Sequence, residues 1–214
     1  MFPALKTEVE ARFDAINLFF GATRNLTENH AAIAKGLMFV QMYAVYEFTV
    51  NSVVSAAIDS IKSYNHKMKD MSPSLMALFL DPELNSLRDG QRRNEWNNRL
   101  KLFERVFSRE TLNLSSGTRP PNDGSHYRYT HLVLIFQVFG IRRLPVRRRN
   151  HIQRITEVVD HRNSIAHGNE RAEDIGRRYT KSEIQTAIRQ MKSVCMLLLT
   201  VFDEYCADPS RHCR

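Results

Sequence analysis

In the run R-N-S-I-A-H-G, Arg162, Asn163 and His167 bring together residue types that can move a phosphoryl group without a metal. A guanidinium neutralises charge building on a pentacoordinate phosphorus. An imidazole titrates near neutrality, so it can take the proton of a ribose 2′-OH or give one to a 5′-oxygen leaving group. Metal-dependent cleavage would need clustered carboxylates. Glu157 and Asp160 share the segment with His161, but on a helix their directions scatter, so neither a metal nor a cofactor is expected. Spacing alone is a weak signal. With 23 Arg and 8 His in 214 residues, such a pair arises about once by chance. The intervals Arg24 to His30, Arg119 to His126 and Arg154 to His161 all imitate it. Placement on an apolar helical stripe singles out Arg162 and His167.

That stripe is legible in H-I-Q-R-I-T-E-V-V-D-H-R-N-S-I-A-H-G. At about 100° per residue, Ile152, Ile155, Val158, Val159, Ile165 and Ala166 fill one arc roughly 140° wide. Arg162 projects into the middle of that arc. Asn163 lies at its rim, and His167 falls about 40° beyond on the same side. A guanidinium on a core-facing stripe is costly unless paired. Glu47 is a candidate partner, because it is the only charged residue between Gly36 and Ile58. Glu47 and Arg162 are therefore expected to meet across a helix interface. The plainer alternative has Glu47 reaching water from an exposed flank.

The charge of the chain is uneven. Lys and Arg number 31 against 23 Asp and Glu, for a net charge of +8. From Arg88 to Arg154 there are 15 basic residues, 14 of them Arg, against 5 acids; the remainder holds 16 against 18. The densest part is I-R-R-L-P-V-R-R-R-N, with Arg142, Arg143, Arg147, Arg148 and Arg149. These arginines sit at the expected start of a helix, where the macrodipole disfavours cations. Such a cluster suits an anionic partner, with nucleic-acid phosphate the first candidate. The bland alternative is a solvated face that aids solubility.

Composition and punctuation indicate an all-α chain. Eight Gly and seven Pro are too few for the many turns of an all-β protein, while 43% apolar and 25% charged residues are ordinary for a globular one. Helices are expected over Ala4–Phe20, from Leu26-Thr27 to Tyr64, in two short turns from Ser72 to Asp89, and over Arg92–Phe107. Further helices are expected over Ser125–Phe139, from Pro145 to His167 with Gly168 as a stop, and from a T-K-S-E capping box at Thr180 to Cys206. The stretch S-S-G-T-R-P-P-N-D-G, residues 115–124, reads as a flexible loop. The layout is one domain over residues 1–214, a helical bundle with residues 72–124 as a variable, Arg-rich insertion. Trp96 is expected in the core rather than as a base-stacking aromatic. The opening M-F-P-A-L-K-T-E lacks signal-peptide character, no run is apolar enough for lipid, and Cys195, Cys206 and Cys213 suit free thiols. A cytoplasmic protein with no membrane partner is expected.

R-N-S-I-A-H-G, reached through V-V-D-H at the end of an amphipathic helix, resembles the signature of the HEPN superfamily (higher eukaryotes and prokaryotes nucleotide-binding). Its ribonuclease members carry Arg, a polar residue, and His four to six residues after the Arg; these match Arg162, Asn163 and His167. The helix Y-A-V-Y-E-F is similar to HEPN helices bearing a Glu, which maps to Glu47. T-H-L-V-L-I-F-Q-V-F-G-I resembles the bacterial HEPN-like nucleases of defence and toxin loci. The resemblance implies an all-α bundle that forms a homodimer, with two motif helices side by side and one composite active site. It further implies metal-independent endoribonucleolytic cleavage leaving a 2′,3′-cyclic phosphate and a 5′-OH, in a toxin–antitoxin or phage-defence system. His167 would be general acid or base, Arg162 the phosphate and transition-state stabiliser, and Asn163 an orienting residue. RNA would be held by the basic segment, and an antitoxin protein would be a further partner. The alternative from another class is a non-catalytic HEPN module that binds nucleotide or RNA or serves in assembly. A DNA-binding regulator using the Arg92–Phe107 helix ranks below both, as no helix-turn-helix spacing supports it.

Overall fold

Apolar residues recurring every three to four positions, with little Gly or Pro to interrupt them, favour helices along the chain. The computed structural model describes residues 1–64, 66–89, 94–108 and 126–213, and the regular elements among these are all helical. They are α1 (Phe2–Ala22), α2 (Glu28–Ser63), α3 (Pro73–Phe79), α4 (Asp81–Asp89), α5 (Glu95–Phe107), α6 (Tyr129–Val138), α7 (Arg149–Ala166), α8 (Ala172–Arg177) and α9 (Lys181–Cys206). The loop expected at residues 115–124 lies outside the described residues.

The stop and start signals act where the sequence places them. Gly168 takes a left-handed φ of 71° after α7, which frees the chain to turn. Gly140 does the same after α6, at φ 66°. At the start of α9 the Thr180 N–H donates to Glu183 Oε2 (2.7 Å), and the Glu183 N–H donates to Thr180 Oγ1 (3.2 Å), a complete capping box. α7 begins at Arg149, four residues later than Pro145, so Arg147 and Arg148 precede the helix and only Arg149 enters its first turn.

The chain divides into two units, and α2, α6 and α9 each run from one into the other. The first comprises residues 1–53, 126–132 and 145–202. Its core holds Phe13 and Ile16 of α1, Phe39 and Tyr43 of α2, Ile155 and Val159 of α7, and Met191 and Leu198 of α9. Within it α8 meets α2 backbone against backbone. A Cβ on Gly36 would come 1.9 Å from the Ala172 carbonyl oxygen, and one on Gly176 would come 1.8 Å from that of Ala32. The Lys35 ammonium also donates to the Tyr179 carbonyl just beyond α8.

The second unit comprises residues 54–125, 133–144 and 203–214. Its core includes Met68, Leu75, Phe79, Phe136, Phe139 and Tyr205. The Ser72 N–H donates to the His212 carbonyl (3.0 Å), and Met71 bridges to Cys213, which fastens the end of the described chain to the start of α3. His212 is fully buried, with His66 Nε2 at 3.2 Å from its Nδ1. Trp96 is not in a core. It is 71% exposed on α5 beside the Arg99 guanidinium, in line with exposed Leu100, Phe103 and Phe107. The amphipathic period of α5 is real, but its apolar side faces outward.

Two tests follow. Gly36→Ala and Gly176→Ala each force rigid backbone apart, so each should lower unfolding stability by at least about 1–3 kcal/mol in urea titrations. Gly21→Ala, where the new methyl meets open space, should instead leave it unchanged or raise it by up to about 1 kcal/mol. Burial, and then the neighbouring His66, push His212 down to about 4. The unfolded state, with histidine near about 6.5, therefore binds the proton first. Stability from this site is complete above that value and is lost as pH falls towards about 4. The urea midpoint should drop between pH 7 and pH 5, and His212→Gln should flatten the drop.

Candidate functional site

The C-terminal turn of α7, the middle of α2 and the segment before α6 converge within the first unit. Arg162 is half-buried there. Its Nη1 donates to Asn163 Oδ1 at 3.1 Å, and lies 3.2 Å from His126 Nε2 and 3.4 Å from His126 Nδ1. The guanidinium carbon sits 4.8 Å from the centre of the Tyr43 ring, within range of a cation–π contact. The His126 ring stands edge-on to the same tyrosine, at 86° and 5.6 Å between centres.

Tyr43 is buried, and its hydroxyl donates to Glu47 Oε1 at 3.1 Å, one helical turn away. The same oxygen is 3.2 Å from His126 Nδ1. Burial first, and then the Glu47 charge and hydrogen bond, push the Tyr43 hydroxyl up to about 12, so it keeps its proton at neutral pH. His126 is pushed below the ordinary histidine value, first by desolvation and then by the Arg162 charge, with Glu47 opposing and the His167 and Arg128 charges adding. His126 is therefore a neutral imidazole at neutral pH.

Arg162 and Asn163 thus stand together. Glu47 is half-buried and joins them through Tyr43; no ion pair links it to Arg162 within 4 Å. His167 caps α7: its N–H donates to the Asn163 carbonyl (3.0 Å) and the following Gly168 N–H to that of Ile165 (3.1 Å), and its side chain is exposed on the same end of the helix. The arc inferred for α7 is only partly covered: Ile155, Val158 and Val159 are buried, Ile152 and Ile165 are half-buried, and Ala166 is exposed. Arg162 therefore lies at the border of the core with one side open.

Other charged groups of α7 belong to separate networks. Asp160 accepts from Arg128 at 2.6 Å. Glu157 pairs with Arg154 and accepts from the Tyr179 hydroxyl at 2.5 Å, whose oxygen lies 2.7 Å from His161 Nε2. Among the described residues no three His, Cys, Asp or Glu side chains gather as metal ligands. Arg147, Arg148 and Arg149 are exposed, with no acidic side-chain partner among the described residues. Arg149 lies about 20 Å along the helix from Arg162. In the second unit Arg142 is exposed, whereas Arg143 pairs with Glu204 at 3.0 Å.

Sequence reasoning missed His126 and Tyr43. Tyr43 carried a signal: it precedes Glu47 by four residues and so shares its helical face. His126 was visible only as one end of the Arg119 imitation.

A model of the HEPN_MAE_28990-like HEPN family matches residues 3–210, and the chain belongs to this family. No curated protein and no solved structure matches it.

Proposed function

We propose that the chain is a metal-independent endoribonuclease. It cleaves RNA by attack of a ribose 2′-OH, leaving a 2′,3′-cyclic phosphate and a 5′-OH, and serves in a toxin–antitoxin or phage-defence system. The observation that carries this reading is the half-buried Arg162, which has no carboxylate within 4 Å among the described residues, next to Asn163 and on the same helix end as the exposed His167. An unneutralised guanidinium at a partly desolvated edge is suited to bind phosphate and to stabilise charge in the transition state. Asn163 holds the guanidinium plane, and His167 transfers a proton. Exposed Arg142, Arg147, Arg148 and Arg149 supply non-specific RNA affinity, which falls as salt rises. An antitoxin protein would act by covering the open C-terminal end of α7, where Arg162 and His167 stand.

Purified protein incubated with total RNA in EDTA should cleave it. His167→Ala should abolish cleavage while leaving the circular dichroism spectrum unchanged. RNA left intact at high protein concentration would assign the chain instead to the non-catalytic HEPN modules. The reading also includes a homodimer in which two motif helices share one cleft. The protein should therefore sediment at twice its 24.9 kDa chain mass; a monomer at micromolar concentration would exclude a composite site.

A further inference from the structure

We infer that His126 is a second catalytic histidine of this site, the base that takes the 2′-OH proton at Nε2. This deepens the proposed ribonuclease reading and rests on it. The hydrogen-bond chain around His126 runs one way. Tyr43 has one proton, and it is directed at Glu47 Oε1. The Tyr43 oxygen can then only accept from the imidazole 3.2 Å away, which places the His126 proton on Nδ1. Nε2 is left as a bare lone pair, with the Arg162 Nη1 beside the ring at 3.2 Å from Nε2 and 3.4 Å from Nδ1. Arg162, His126, Tyr43 and Glu47 therefore form a directed relay whose open end is a neutral basic nitrogen beside the phosphate-binding guanidinium.

The chemistry has a use for such a group. In an in-line displacement the attacking O2′ and the departing O5′ lie on opposite sides of phosphorus. One imidazole cannot serve both oxygens in a single step, and His126, unlike the His167 of a second copy, already stands beside Arg162 within the same chain. With phosphate on the Arg162 guanidinium, the 2′-OH comes within reach of the His126 Nε2 lone pair. The proton of O2′ passes to His126 Nε2 as the O2′–P bond forms. The P–O5′ bond breaks with its electron pair on O5′, which takes a proton from His167. The products are the cyclic phosphate and a free 5′-OH, with the two histidines having exchanged proton states.

The groups facing His126 are Tyr43 and Glu47 from α2, Arg162 and His167 from α7, and the nearby Arg128. His126→Asn keeps a donor for the Tyr43 oxygen but has no group at Nε2. At a site that the wild type cuts in EDTA, this variant should be about 10²–10⁴-fold slower in kcat, should lose the acidic limb of the pH profile, and should show little change in KM. A single-stranded RNA with sulfur replacing the 5′-bridging oxygen at that site separates the two roles, since a thiolate leaves without an acid. This substrate should restore His167→Ala and leave His126→Asn slow. Full activity of His126→Asn, or its rescue by the sulfur substrate, would overturn the assignment while the ribonuclease reading stands. A wild type that leaves RNA intact overturns both. Nitrogen-15 spectra of the wild type add a readout free of any variant: His126 should carry its proton on Nδ1, and an Nε2-protonated ring would break the relay.

Discussion

The Tyr43 hydroxyl is the interaction on which the site depends. Burying a phenol costs less when its proton has a partner, and for Tyr43 the partner one turn along α2 is Glu47. That choice fixes what the oxygen can do next, which is to accept, and so orients His126. The ring beneath the hydroxyl meanwhile offers its face to the Arg162 guanidinium. One side chain thus sets the direction of an imidazole and seats a cation.

Arg162 differs in its surroundings from the ion-paired arginines of the chain. Arg128, Arg143 and Arg154 each meet a carboxylate, and their charge is spent within the fold. Arg162 meets an amide oxygen, an imidazole and an aromatic face, all of which orient a guanidinium without cancelling it. The Glu47 charge reaches it only across Tyr43. A cation arranged in this way retains attraction for an incoming anion, whereas a tight carboxylate pair would compete with it.

Much of the architecture was legible because it follows local rules. The Thr180 to Glu183 box, the Gly140 and Gly168 stops and the paired short helices after Ser72 all stand where their residues demand. The α7 periodicity placed Arg162 at the apolar face, next to Asn163. What periodicity could not supply was depth: it centred Arg162 in the stripe, yet the flanking Ile165 and Ala166 are not buried, and the site is a border. The expected Glu47–Arg162 pair was a two-body guess at a contact that proved to have four members, because a single sequence does not reveal which distant residue enters from another segment. His126 comes from such a segment. Trp96 shows the same gap from the other side, since an amphipathic pattern on α5 does not say which face meets protein and which meets solvent.

The glycine contact between α2 and α8 has a mechanical consequence for the Tyr43–Arg162 contact. Gly36 and Gly176 let two helices touch at their main chains, with each glycine opposite a carbonyl one turn from the other glycine. Only residues 167–171 separate α8 from the end of α7. With α8 pinned in this way, the end of α7 cannot slip along α2 by a fraction of a turn without unseating two interlocked backbones. The distance between Tyr43 and Arg162 is thereby set by an anchor that contains neither side chain, and a methyl group added there would disturb a contact it never touches.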